Sequence, residues 1–141
     1  ALAQALIDNG ADLITGGTDN HMIVNNTVST FGMDGTEAEK VLESVEITTN
    51  KQVIPDDPNP PLRPSGIRLG TPAATTRGMC EKEMQQIGQW IVEALKNRQD
   101  ATKLASIQKD IKGYKITDTD YPVLVTTPSG EEFSCSQYYY D

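Results

Sequence analysis

The sequence predicts an α/β domain, a small antiparallel or mixed sheet with helices packed against one face. Three observations carry that expectation. Gly66-Ile67-Arg68-Leu69-Gly70 alternates with the period of a short strand. Met84, Ile87, Ile91 and Leu95 recur at helical spacing within Met79–Asn97, the longest helical pattern in the chain. Short apolar runs bounded by glycine, proline and asparagine supply further strands between the helices.

The chain begins inside a helical pattern. Leu2, Ala5, Leu6 and Asn9 share one face, and Gly10 suits the cap, since glycine enters the left-handed region without strain. No methionine or N-cap precedes it, so residues 1–10 read as the end of a helix arriving from a larger, missing domain. Residues 11–124 read as the small domain itself. Ala11–Thr15 reads as a short strand, Gly16-Gly17 as a turn, and Asn20–Thr27 as a second strand. Its His21 is the chain's single histidine, without cysteine, histidine or carboxylate partners at metal-ligand spacing, and reads as structural. Thr27 to Asp34 reads as a loop. Thr36 is expected to cap a helix over Glu37–Val45, with Ala38, Val41, Leu42 and Val45 buried and Glu37, Glu39, Glu43 and Glu46 solvated. Ile47–Lys51 returns as a strand.

Val53 to Pro64 is proline-rich and therefore an ordered loop, because proline fixes φ and removes donors. It feeds into the Arg68 strand, where it is either a wall for a binding site or a connector. On that strand the alternation sends Arg68 to the face opposite Ile67 and Leu69. Flanking glycines let a ligand or backbone come close. An arginine so placed suits a carboxylate or phosphate, because its planar fork makes two parallel hydrogen bonds. A solvated arginine on an edge strand is the plainer reading. Thr71-Pro72 ends the strand. After Met79–Asn97, Asp100 is expected to cap a helix over Ala101–Lys112, which Gly113 ends. Residues 125–141 read as a C-terminal tail, either flexible or a short docking strand, with a run of tyrosines at 138–140.

Composition bounds the function. The 141 residues fit one domain, and 37% hydrophobic content fills a modest core. A net charge of −8 without a basic cluster argues against nucleic acid and anionic membranes as partners. No apolar run approaches the roughly 18 residues of a membrane span. Cys80 and Cys135 are far apart, lack a CxxC spacing, and read as thiols of a reducing cytoplasm.

The wording of three blocks adds to this. Ser65-Gly66-Ile67-Arg68-Leu69-Gly70-Thr71-Pro72-Ala73, with Thr75-Thr76-Arg77-Gly78, resembles a motif of serine hydroxymethyltransferases. Gly16-Gly17-Thr18-Asp19-Asn20-His21 and Ile47-Thr48-Thr49-Asn50-Lys51 with Ile54-Pro55-Asp56-Asp57 resemble the same family in the same order. The resemblance runs from about Ala1 to Leu124. It implies the C-terminal domain of a fold-type I enzyme that uses pyridoxal phosphate and tetrahydrofolate to interconvert serine and glycine, a transferase of one-carbon metabolism.

By that resemblance Arg68 binds the amino-acid carboxylate, and Gln52, Asn59, Pro60 and Pro61 line the folate. Gln52 stands where many relatives have asparagine, and Pro64 where threonine is common. The family's Thr-Thr-His-Lys block, whose lysine forms the Schiff base, is not in the sequence. Lys40, Lys51, Lys82, Lys96, Lys103, Lys109, Lys112 and Lys115 show no reason for the lowered pKa that such chemistry needs. The resemblance thus implies no catalytic residue and no metal ligand here, a cofactor held mainly by the missing large domain, and a homodimer or higher assembly for the intact enzyme. A stand-alone binding or assembly module that reuses the domain remains the alternative.

Overall fold

The Arg68 strand sits in the middle of the sheet. The computed structural model describes residues 1–115, 124–126 and 132–134. Strands β1 (Met22–Asn26), β2 (Asn50–Gln52) and β3 (Gly66–Gly70) form one antiparallel sheet in the order β1-β3-β2. Arg68 is paired with Val24 on one side and Asn50 on the other. The edge-strand reading of Arg68 is therefore corrected, and the sheet is antiparallel rather than mixed. β3 tolerates the central place because its proline falls beyond its last residue.

One face of the sheet is covered by helices. Ile23, Ile67 and Leu69 point into a core shared with Leu42 and Val45 of α3 (Gly35–Ser44) and its C-cap, and with Ile91, Ala94 and Leu95 of α5 (Glu81–Lys96). α1 (Leu2–Asp8) lies across α5, so close that a Cβ on Gly88 would stand 2.8 Å from the Ala5 Cβ. α6 (Ala101–Gly113) adds Ile107 to the same core, and Asp100 caps it by accepting the Lys103 N–H at 3.0 Å, as expected.

α1 and α3 end in the same hydrogen-bonded motif. After α1, Ala11 N–H bonds to Leu6 O at 2.9 Å and Gly10 N–H to Ile7 O at 2.8 Å, with Gly10 at φ 90°. After α3, Ile47 N–H bonds to Leu42 O at 2.9 Å and Glu46 N–H to Glu43 O at 3.0 Å, but the left-handed residue is Glu46 at φ 70°. Its carboxylate reaches Lys112 Nζ at 3.1 Å and accepts from Gln108 Nε2 at 3.1 Å on α6.

Several boundaries differ from the sequence expectation. Ala11–Thr15 is not a strand: only Leu13 bridges Asn25, and Ile14–Gly16 forms a 3-10 turn with Thr15 at φ 64°. The expected loop after β1 holds a short helix, α2 (Thr27–Phe31), because Asn26 accepts the Ser29 N–H at 3.1 Å. β2 begins at Asn50, since Ile47 is taken by the turn that ends α3. Thr71-Pro72 does end β3, but Pro72 is also the first residue of α4 (Pro72–Thr76), where its missing N–H costs nothing. α5 starts at Glu81 rather than Met79, because the Glu83 carboxylate accepts the Cys80 N–H at 2.8 Å and fixes the start there.

The cap of α3 is Asp34, not Thr36. Asp34 Oδ1 accepts the Glu37 N–H at 2.9 Å, while Thr36 Oγ1 donates to Leu62 O at 3.1 Å. Asp34 Oδ2 also accepts from Arg63 Nε at 2.8 Å and Nη2 at 2.6 Å. The Glu37 N–H foremost, and the Arg63 guanidinium after it, hold the Asp34 carboxyl below its ordinary range against the opposing pull of desolvation. Asp34→Ala is expected to cost about 1 kcal/mol, the usual loss on removing an N-cap, with little added by the exposed arginine. A lowered urea midpoint with an unchanged slope checks it.

Across the boundary between the expected domain and its tail, β4 (Leu124–Thr126) pairs antiparallel with β5 (Glu132–Ser134). The rest of that stretch, with Cys135 and the tyrosine run, lies outside the described residues. No described helix is long and apolar enough to cross a membrane.

Candidate functional site

The uncovered face of the sheet is built by alternation. Directly opposed residues of an antiparallel pair share a face, so Val24, Arg68 and Asn50 stand in one row across the three strands. Met22 and Gln52 flank that row, opposite Gly70 and Gly66 respectively. Within β3 the two glycines leave Arg68 as the only side chain on this face. The side chain is exposed, while Ile67 and Leu69 on either side are 1% and 6% exposed.

The backbone under Arg68 is fixed. Thr49 Oγ1 donates to Arg68 O at 2.7 Å, beyond the pairing on both flanks. Its guanidinium has no ion-pair partner among the described residues, whereas Arg63 and Arg98 are paired with Asp34 and Glu37. A permanently charged planar donor set on a rigid strand, with glycine on each side, is suited to hold an incoming carboxylate by two parallel hydrogen bonds.

The proline-rich loop joins β2 to β3 and is ordered by one carboxylate. Asp57 Oδ1 accepts the Ser65 hydroxyl at 2.6 Å and the Asn59 N–H at 3.0 Å. Its Oδ2 accepts the Ser65 N–H at 2.9 Å and the Ile54 N–H at 3.2 Å. Asn59 Nδ2 closes the ring by donating to Ser65 Oγ at 2.9 Å. Ser65 in turn is tied to the far side of the sheet, its carbonyl accepting from Thr27 N–H at 2.9 Å and Thr27 Oγ1 at 3.0 Å.

The Ser65 hydroxyl most of all, then the Ser65, Asn59 and Ile54 N–H groups, hold the Asp57 carboxyl far below the ordinary range. A carboxylate with a depressed folded pKa contributes stability that is present above its unfolded value and lost as pH falls through the folded one. Asp57 and Asp34 share that sign, as does Glu83, whose chief support is the Cys80 N–H. The urea midpoint is therefore expected to be flat above about pH 5 and to fall progressively below about pH 4. A midpoint that rises on acidification contradicts these assignments.

The sequence-expected site residues are thus placed as follows. Arg68 and Gln52 share the uncovered face, although the Gln52 amide donates to Val53 O at 2.9 Å. Asn59 has its side-chain amide engaged within the loop, and Pro60 and Pro61 are exposed on it. His21 is exposed beside β1, and its carbonyl accepts the Thr71 N–H at 3.3 Å. Asp57 and Ser65 stand in the blocks quoted from the sequence, but were given no role there. The legible signal was Asp57-Pro58-Asn59, since an aspartate commonly bonds the N–H two residues on.

The serine hydroxymethyltransferase family model matches residues 1–91 of the 141. The chain belongs to the serine hydroxymethyltransferase family. It is 51% identical over 110 residues to a serine hydroxymethyltransferase of Koribacter versatilis, covering 78% of this chain and 26% of that protein. It is 52% identical over 111 residues to one of Acidobacterium capsulatum, covering 79% of this chain and 26% of that protein. The chain therefore spans about a quarter of the length of these serine hydroxymethyltransferases.

Among the described residues, the uncovered face of the sheet carries no lysine. Beside Gly66 and Gly70, the β1–β3 residues on it are Met22, Val24, Asn26, Asn50, Gln52 and Arg68. Lys51 belongs to the helical side, where its Nζ lies 3.4 Å from Glu39 Oε2. The donor set of this face fits a carboxylate and holds no amine for covalent attachment of an aldehyde.

Proposed function

We propose that the intact protein interconverts serine and glycine with tetrahydrofolate as the one-carbon carrier, using pyridoxal phosphate anchored outside this sequence. In that reading Arg68 binds the amino-acid carboxylate through its fork, and Gln52, Asn59, Pro60 and Pro61 form part of the folate wall. The observation that carries it is the exposed Arg68 on the central strand between two glycines, without an ion-pair partner among the described residues, in a segment of the serine hydroxymethyltransferase family. A rigid arginine clamp converts binding of the carboxylate into orientation of the amino acid, and full positioning of reactants can supply about 7–11 kcal/mol of a barrier, of which one clamp contributes a part. The folate loop lies one connection away in the chain, so both substrates meet residues of the same β2–β3 unit.

The stand-alone module is not favoured, because both relatives carry this segment as 26% of a longer serine hydroxymethyltransferase. The test is to join this chain to the preceding part of its protein and to follow glycine formation from serine. Glycine formation that depends on tetrahydrofolate supports the reading. A folded, cofactor-loaded joined protein that forms none contradicts it.

A further inference from the structure

We infer that Asp57 is a positioning residue that sets the folate wall independently of the Arg68 clamp. The inference rests on the folate-wall reading above and assigns a role to a residue that reading leaves out. Asp57 is the hub on which four donors of the loop converge: the N–H groups of Ile54, Asn59 and Ser65 and the Ser65 hydroxyl, at 2.6 to 3.2 Å. These donors lie at the start of the loop, in its middle, and at its junction with β3. A loop with prolines at positions 55, 58, 60, 61 and 64 has few backbone N–H groups with which to order itself, so one acceptor-only carboxylate supplies what a ladder cannot. The carboxyl is held far below the ordinary range, so it stays an acceptor throughout the neutral region.

Arg68 is held by other means. Its backbone is paired on both sides and capped by Thr49, and none of those bonds involves Asp57. Loss of Asp57 therefore loosens residues 55–61, while Leu62, Arg63 and Pro64 stay tied to Thr36, Asp34 and Gly35 of the α3 start and the arginine stays in register. The two substrates should then respond unequally, a separation that general destabilisation does not produce.

The test uses the intact enzyme with cofactor bound and measures serine binding without folate, then the KM for tetrahydrofolate at saturating serine. Asp57→Ala is expected to raise the folate KM at least about tenfold while serine binding moves less than about threefold, as loss of preorganisation in one wall predicts. Faster exchange of the Ile54, Asn59 and Ser65 amide hydrogens should accompany it. Ser65→Ala, which removes one donor and leaves three, is expected to show the same pattern at smaller size. It also serves as the second variant should Asp57→Ala fail to fold. Unchanged folate KM, or equal losses for serine and folate, overturns the inference. Failure of the unaltered enzyme to use folate at all overturns the proposed function instead, and the two results are distinct.

Discussion

Arg68→Lys in the intact enzyme is expected to raise the serine KM and lower kcat together. The lysine keeps the charge but replaces a planar pair of donors with a point charge on a flexible stem. Charge-assisted hydrogen bonds are worth about 1.5–3 kcal/mol each, so losing one arm of the fork removes roughly 10- to 100-fold from kcat/KM. The fall in kcat follows because a single contact no longer fixes rotation of the bound amino acid, and orientation is what the second contact supplies. The strand itself should be undisturbed, since Arg68 is exposed and its neighbours Ile67 and Leu69 carry the packing. Unfolding midpoints of the two proteins should therefore agree. Steady-state kinetics for serine at saturating folate checks the first part. Kinetics within about twofold of the unaltered enzyme removes Arg68 from the site.

Gly35→Ala is expected to be the most damaging glycine-to-alanine change among the described residues. A Cβ at this position would lie 2.0 Å from Gly66 O and 3.1 Å from Pro64 O, where the Gly35 N–H already donates to Pro64 O at 2.6 Å. Both obstructing atoms are backbone carbonyls at the entrance to the central strand, so no side chain can swing aside. Alanine would otherwise favour the helix by about 1 kcal/mol. Overpacking commonly costs 1–3 kcal/mol and sometimes more, and the rigid surroundings here place it at the upper end, about 3 kcal/mol net. The partner position is also tight, since a Cβ on Gly66 would meet Ile54 Cγ2 at 2.6 Å and Asn25 O at 2.9 Å. A thermal midpoint lowered by roughly 10 °C checks this. An unchanged midpoint would show that α3 and β3 separate freely, and that the Arg68 strand is less firmly seated than its hydrogen bonds indicate.

The parts of this fold that could be read in the sequence are those fixed by local periodicity. β3, α5 and α6 follow from apolar spacing, and the Asp100 cap from its place before a periodic run. The parts that could not be read are settled by contacts between distant residues. Whether β3 is central or an edge depends on β1 and β2 closing on both its sides. Asp34 rather than Thr36 caps α3 because Thr36 is drawn to the Leu62 carbonyl, 26 residues away. Ala11–Thr15 has strand-like composition, but Gly16 and Gly17, with Thr15 in the left-handed region, curl it into a turn after one bridge.

The site divides in the same way. The exposed face that Arg68 occupies was legible because alternation marks it locally, whereas its role as a carboxylate clamp rests on the resemblance of residues 65–73 to the family motif. Asp57 was not legible, because its importance lies in bonds to Ser65, eight residues on and across a turn.

The measurement that bears most directly on the central claim is binding of serine and of serine amide to the intact enzyme with and without Arg68. The amide keeps every group of serine except the carboxylate charge. If Arg68 is the carboxylate clamp, the unaltered enzyme should prefer serine by about 100-fold, a loss of roughly 3 kcal/mol for the amide, and Arg68→Ala should bind the two alike. An undiminished preference for serine in Arg68→Ala would place the carboxylate elsewhere and contradict the account.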